Sequence, residues 1–342
     1  MAKRVTMTDI AKDAGVSLAT VSYIINKRSD QTIAPETIKK VNESIAKLGY
    51  VPNFSARALA SSRSMLLGLV IPQTEKKEKM MFSNTFYGEF LSSFEYEARK
   101  RGYNILISGM DIDTSYVKIA KQRCLDGVVA VGLQQSSELD ELVNSGIPLV
   151  LVDSYVETDK AGCINLSDRE GGKLATSYIM GKRHKRIALV TGYTNERGVN
   201  SERFSGYKDA LEEGKLEYDP TLVFSGTVSY QFGEKIGEEI AENRNGITGI
   251  FATADILAIG VINGLKKKGV KVPEEVSVVG FDDGLLSSVS DPGLTTVHQD
   301  VDKKAILAAE MIISRVEKKS EVKESIVLNV SLTERQSVME AQ

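Results

Sequence analysis

Apolar residues recur along this chain with two different rhythms, and the change between them divides it. Over residues 6–52 the spacing is helical. It predicts a short helix over Asp9–Ala14, with Thr8 as its N-cap and Gly15 as the left-handed residue that ends it. Ser17 then caps a second helix, Leu18–Asn26. A third has Pro35 in its first turn, buries Ile38, Val41, Ile45 and Leu48 at 3–4 spacing, and is closed by Gly49. From Leu66 the rhythm becomes short apolar runs alternating with amphipathic stretches. Strands are predicted at Leu66–Ile71, Tyr103–Ser108, Gly127–Val131 and Pro148–Val152, with helices Tyr87–Lys100, Ser115–Cys124 and Ser136–Asn144 between them. The pattern restarts with helix Glu170–Met180, strand Ile187–Thr191, helix Arg203–Glu213, strand Leu222–Phe224 and helix Phe232–Glu242. Strand Gly249–Ala252, helix Ile256–Lys268, strand Val276–Phe281, helix Lys303–Val316 and a last strand region, Ile326–Leu332, complete it.

Strand–helix alternation of this kind means parallel sheets with helices on both faces. So many strands in one sheet are improbable, and two doubly wound parallel-sheet subdomains are expected, with a ligand site in the cleft facing the carboxyl ends of their strands. At 342 residues and 42% apolar content the chain can build both cores. Asp9, Lys12 and Asp13 fall where a signal peptide would need an apolar run, and no run reaches membrane-spanning length. Two cysteines, Cys124 and Cys163, suggest no disulfide framework. A cytoplasmic location is expected.

Helix, short Gly-containing turn, helix is the pattern of a DNA-binding helix-turn-helix. Ile10, Ala11, Ala14, Val16, Val21 and Ile24 can pack the two helices together, which leaves Leu18, Ala19, Thr20, Ser22 and Tyr23 on the face that meets base edges. Charge favours this over an inert helical bundle. Residues 1–62 hold nine Lys/Arg against five Asp/Glu, a net +4, while the remainder holds 34 against 41, a net −7. A basic head on an acidic body is the electrostatic footprint of a nucleic-acid reader with a separate working domain.

The same stretch resembles the LacI/GalR (lactose-repressor) family of bacterial transcription regulators. The resemblance rests on Val5-Thr6, Asp9-Ile10-Ala11, Ala14-Gly15-Val16-Ser17, Thr20-Val21-Ser22, Asn26, Val41, Leu48-Gly49-Tyr50, Pro52-Asn53, Ala56 and Leu59-Ala60. It implies that Thr6, Thr8, Ser17, Asn26 and Arg57 join the outer-face residues in binding DNA. It also implies a hinge helix at 53–60, marginal by itself at that length, whose Leu59 wedges between base steps in the minor groove. Lys3, Arg4, Lys27 and Arg28 are further candidates for phosphate contacts. The fold implied is an α/β chain: an N-terminal helix-turn-helix head with hinge over 1–62 and a periplasmic-binding-protein-like core over 63–342. The core would divide into an N-subdomain (about 66–162 and 293–320) and a C-subdomain (about 163–291 and 321–340). Chain crossings are then expected near Gly162, near Pro292 and just after Lys303–Val316.

For the cleft, the resemblance implies effector contacts from Asp153, Arg203, Asp282 and Gln299, an aromatic floor from Phe86 and Tyr87, and further contacts from Arg197 and Asp255. Asp282 can accept two hydroxyls or an N–H, and Arg203 offers a planar fork of donors. The function implied is a homodimeric, sequence-specific DNA-binding regulator, repression being the family's common outcome. Its operator affinity would be set by a small effector, a sugar or related metabolite, with no cofactor and no metal. The ten residues after Leu332 are too few for a heptad tail that would make a tetramer.

Some positions depart from the family pattern. Ala254 stands where an Asn is usual, Val228 where an aromatic lid is common, and Tyr23 where an Arg commonly reads guanine. These keep open a regulator that answers to a protein partner instead of a small molecule. A solute-binding protein shares the core fold, but the basic head speaks against it. His184 and His298, the only histidines, lack a nucleophile or metal partner, and no phosphate loop or HExxH is present, so no enzyme is expected.

Overall fold

The computed structural model describes residues 5–25, 32–51, 63–71, 84–109, 115–195, 197–318 and 325–341. The chain separates into two compact units, Met1–Ser64 and Met65–Gln342.

In the first unit, α1 (Met7–Ala14), α2 (Leu18–Ile25) and α3 (Pro35–Leu48) enclose a small core of Ile10, Ala11, Val21, Val41 and Tyr50. The N-cap of α1 is Thr6 and not Thr8, which lies inside the helix. Asp9 explains the difference: Thr6 N–H donates to Asp9 Oδ2 at 2.8 Å, and Thr6 Oγ1 accepts from Asp9 N–H at 3.4 Å, a reciprocal capping box. Ser17 caps α2 as expected, its Oγ accepting from Thr20 N–H at 3.1 Å. Gly15 and Gly49 both take left-handed backbone, φ +68° and +63°, and end α1 and α3. Ile38, expected in the buried stripe of α3, is 37% exposed, and Ser44 is buried on that helix beside Val41. The helix is rotated so that its contact line runs through 41, 44, 45 and 48.

The second unit contains two six-stranded sheets. The first lobe holds β1 (Leu66–Ile71), α4 (Thr85–Lys100), β2 (Asn104–Gly109), α5 (Tyr116–Gln122), β3 (Gly127–Val131), α6 (Ser137–Val143), β4 (Leu149–Val152) and β5 (Gly162–Leu166). The second holds α7 (Asp168–Gly181), β6 (Ile187–Gly192), α8 (Val199–Glu213), a 3₁₀ turn (Pro220–Leu222), β7 (Val223–Gly226) and α9 (Tyr230–Glu242). It continues through β8 (Gly249–Ala252), α10 (Asp255–Lys267), β9 (Ser277–Asp282), α11 (Leu285–Val289) and β10 (Thr295–His298). Helix α12 (Val301–Val316) returns to pack on α4 and on β3–β5, β11 (Ser325–Leu328) joins the first sheet, and β12 (Ser331–Thr333) the second. Strand orders are β11-β5-β4-β3-β1-β2 and β12-β10-β9-β8-β6-β7, parallel throughout except for β12 against β10. Runs such as β3 and β4 are buried at every position because apolar clusters cover both faces of each sheet.

The crossings between lobes all fall later than the sequence suggests. Gly162 opens β5, which pairs with β4 in the first sheet, so the first crossing is at Ser167. Pro292 precedes β10 of the second sheet, and the chain crosses only at Gln299–Asp300. After α12 the chain still adds β11 to β5 before crossing at Asn329–Val330. The cause is that GCINL, TTVH and SIVL are strands of only four or five residues, too short for their own pattern to show which sheet each joins. No helix among the described residues is long and apolar enough to cross a membrane.

Candidate functional site

On the head, Ser17, Leu18 and Ala19 are exposed at the start of α2, Leu18 at 49%, and Thr20, Ser22 and Tyr23 are partly so. Ser17 Oγ and Thr20 Oγ1 are 2.8 Å apart, which fixes both hydroxyls on the outer surface of the first turn. Thr6 and Thr8 are exposed at the start of α1. Lys47 donates to Asp13 at 2.7 Å and holds that carboxyl below its usual range, linking α3 to the end of α1. Asn26, Arg57, Leu59, the phosphate candidates Lys3, Arg4, Lys27 and Arg28, and the expected hinge at 53–60 lie outside the described residues.

In the core, three aspartates sit with left-handed backbone at the carboxyl ends of strands: Asp153 after β4 (φ +52°), and Asp282 (φ +127°) and Asp283 (φ +61°) at the end of β9. Non-glycine residues rarely adopt such angles, and clusters of them mark functional or tightly constrained turns. Asp153 and Asp282 belong to one continuous polar chain across the two lobes. Lys304, in the first turn of α12 and fully buried, donates to both oxygens of Asp153 at 2.8 Å and to Gln299 Oε1 at 2.7 Å. The other end of that amide, Gln299 Nε2, donates to Asp282 Oδ1 at 2.6 Å. Arg203 Nη1 lies 3.8 Å from the same oxygen and donates to Thr253 O at 2.6 Å, while Arg203 Nε donates to Asp168 Oδ1 at 2.8 Å. Tyr155 closes the series, donating to Asp168 Oδ2 at 2.5 Å.

The aromatic residues back this chain. The Arg203 guanidinium stacks 3.5 Å from the Phe281 ring centroid, and Lys304 Nζ lies 5.3 Å from that of Phe86, which meets Tyr87 edge-on. Burial pushes the Asp282 carboxyl up to about 6 against the opposing pull of Arg203 and Gln299. Burial also raises Asp153, with Lys304 opposing it, and raises the Tyr87 phenol further with help from the Asp153 and Asp282 charges. Four of the expected site residues, Asp153, Arg203, Asp282 and Gln299, are therefore gathered at one place, with Phe86 and Tyr87 beside them.

Asp255, at the start of α10, adjoins the site through its backbone, whose N–H donates to the Asp282 carboxyl. Its own carboxyl, raised by burial and by the Asp282 charge, accepts from Thr296 Oγ1 at 2.6 Å and from Gly284 N–H at 3.1 Å within the second lobe. One expected residue is not brought there. Arg197 is exposed, paired with Glu157 at 3.7 Å and Glu202 at 3.4 Å, with its guanidinium 5.9 Å from the Tyr155 ring. Arg203 is also not at a helix start, since α8 begins four residues earlier at Val199.

Lys304, Asp168 and Tyr155 did not emerge from the sequence. A signal for Lys304 was present: it lies four and eight residues before Ala308 and Ile312, on the buried stripe of α12, where a lysine requires a partner. Asp168 follows β5, whose five residues, GCINL, carry no strand pattern that would place a carboxylate at its end.

Close helix packing sets the reach of Arg203. A Cβ on Gly172 would lie 2.1 Å from Arg203 O, and one on Gly206 would lie 1.9 Å from Arg169 O, so α7 and α8 approach as only glycine allows. Gly172→Ala is expected to destabilise the core by about 1–3 kcal/mol through overpacking, measured by urea unfolding. No loss would mean that α8 can move away freely.

A three-helix head with an exposed helix-turn-helix, and a two-lobed core with a polar cleft at the strand ends, define a DNA-binding regulator with a periplasmic-binding-protein-like sensing domain. Residues 6–53 match the model for bacterial regulatory proteins of the lacI family, and 176–338 that for a periplasmic binding protein-like domain. The chain is 30% identical over 339 residues to the HTH-type transcriptional repressor PurR of Vibrio atlanticus (strain LGP32), covering 97% of this chain and 98% of that one. It therefore belongs to the LacI family, and it is a helix-turn-helix transcriptional regulator. Among solved structures, a complex of the transcriptional regulator CelR with cellobiose superposes with a TM-score of 0.74 at 27% identity, over 98% of this chain and all of that one. The Lac repressor dimer bound to operator and the anti-inducer ONPF shares the fold with a TM-score of 0.85 at 23% identity, again over 98% and 100% of the chains.

Proposed function

We propose that this protein is a cytoplasmic, homodimeric repressor without catalytic activity, and that a neutral polyhydroxylated metabolite bound at Asp282, Arg203 and Tyr87 controls its affinity for operator DNA. The observation that carries this reading is the meeting of Asp153, Gln299, Asp282 and Arg203 from both lobes at the carboxyl ends of β4, β9 and β10. The Asp282 carboxyl, held by the Gln299 amide and the Asp255 N–H, keeps lone pairs for a further donor, and the Arg203 and Tyr87 side chains stand beside it. A regulator of 27% identity, CelR, is known in complex with cellobiose, which supports a sugar-like class. On the head, the residues proposed to meet DNA are Thr6, Thr8, Ser17, Leu18, Ala19, Thr20, Ser22, Tyr23, Asn26, Arg57 and Leu59.

The test is thermal unfolding of the full chain across a panel of sugars, nucleosides and phosphosugars. A ligand at about 100 times its dissociation constant adds roughly 2.7 kcal/mol to stability. Response to a member of the panel, lost in Asp282→Ala, supports the site. A chain that answers to none of them favours control by a protein partner.

The pH dependence has a definite sign. A ligand whose hydroxyls donate to Asp282 requires the carboxylate, so binding favours the ionised form of a group that titrates at about 6. Affinity is expected to be level above pH 7 and to weaken as pH falls through 6, approaching about tenfold per unit below it. A flat profile from pH 8 to 5 contradicts Asp282 as acceptor.

A further inference from the structure

Lys304 is placed as no ordinary lysine would be. Its side chain is fully buried, yet it runs along the apolar stripe of α12 with Val301, Ala305 and Ala308. Burying an ammonium costs several kcal/mol unless its protons are taken up with good geometry. Here all three find acceptors: Asp153 Oδ1 and Oδ2 at 2.8 Å and Gln299 Oε1 at 2.7 Å. The Phe86 ring, 5.3 Å away, adds a cation–π face. A carboxylate, an amide carbonyl and an aromatic face arranged around one primary ammonium form a binding site, and the chain's own side chain is its occupant.

We propose that Asp153, Gln299 and the Phe86 ring form an ammonium cage that Lys304 itself fills, and that by filling it Lys304 determines which effectors the cleft accepts. Both Asp153 oxygens turn to the lysine, so a ligand meets no acidic acceptor at that end. Gln299 is oriented by the lysine, with its carbonyl toward Nζ, and so presents its NH₂ to Asp282. The native cleft then takes ligands that bring uncharged groups to this end and rejects those that bring an amine. Without Lys304 the preference reverses, because Asp153 becomes a buried carboxylate in need of a cation. The selectivity rests on the effector reading given above, whereas the cage itself does not.

The experiment uses full-length Lys304→Ala, which lacks a propylammonium fragment, and follows its unfolding in propylammonium chloride, with n-propanol and sodium chloride as controls. The unfolding midpoint is expected to fall in the variant and to recover saturably with propylammonium, at a half-saturating concentration at least about tenfold below any effect of n-propanol, a difference of roughly 1.4 kcal/mol. Wild type should show no saturable response, and adding Asp153→Asn to the variant should remove it. A variant recovered in folded form only with propylammonium also supports the cage. Equal action of amine and alcohol, a matching response in wild type, or a variant that stays unfolded in the amine overturns it. Selectivity is read with D-glucosamine and D-glucose. The affinity ratio of amine to neutral sugar should rise at least about tenfold from wild type to Lys304→Ala, and an unchanged ratio, or no glucosamine binding by the variant, overturns that part. If wild type binds no member of the wider panel, the effector reading fails, and the propylammonium result decides the cage separately.

Discussion

Raising salt from about 50 to 200 mM should weaken operator binding by about 10³–10⁵-fold, if the two heads of a dimer together neutralise roughly 6–10 phosphates. The expectation follows from how charge is divided along the chain. The first 62 residues carry nine basic and five acidic side chains, while the rest of the chain is net negative, so attraction to DNA is confined to the head. Each phosphate contact releases condensed counterion, and the logarithm of affinity falls linearly with the logarithm of salt. Replacing one phosphate-contacting Lys or Arg by Ala should lower the slope by about one per site while leaving sequence preference in place. A slope near zero, or one unchanged by removal of Lys3, Arg4, Lys27, Arg28 and Arg57 together, would show that the basic head does not make these contacts.

Asp153→Ala should cost the core about 3–5 kcal/mol. Lys304 would then be a fully buried cation left with the Gln299 carbonyl and the Phe86 ring, far short of what ionisation in that place requires. The loss is one of uncompensated charge and not of the ion pair's net worth, which separates this prediction from a cavity effect. Removing both charges together, as Asp153→Asn with Lys304→Met, should recover most of the stability, because no uncompensated charge is left buried and Asn tolerates the left-handed backbone at 153. Urea unfolding of the two proteins checks this. A double variant as unstable as Asp153→Ala would mean that shape and packing at α12 matter more than the charge.

Much of this could be read from the amino acids, for identifiable reasons. Long apolar runs such as LLGLVI and GVVAV can only be buried strands, so the two-lobed α/β core was legible. Carboxylates immediately after such runs, Asp153 and Asp282, had to lie at the strands' carboxyl ends, where the structure brings them into one network. What stayed hidden depended on weak or non-local signals. Short strands with polar members, GCINL, TTVH and SIVL, displaced the three crossings, and the first of them concealed Asp168. The partner of Lys304 is 151 residues away in sequence, and no local spacing announces such a pair. Thr6 and Thr8 are both plausible caps by type, and only the reach of Asp9 back to Thr6 chooses between them. Asp255 satisfies the same chemical description as Asp282, yet Thr296 and Gly284 take up its carboxyl, and it meets Asp282 through its backbone N–H.

Control of DNA binding by the cleft is tested most directly by measuring operator affinity, at one fixed salt concentration, with and without a ligand that stabilises the wild-type core but not Asp282→Ala. Affinity should change by about 5–150-fold in wild type, a coupling of roughly 1–3 kcal/mol, and not at all in Asp282→Ala, whose operator binding without ligand should match that of wild type. An operator affinity that stays the same while the ligand occupies the wild-type cleft would contradict the account.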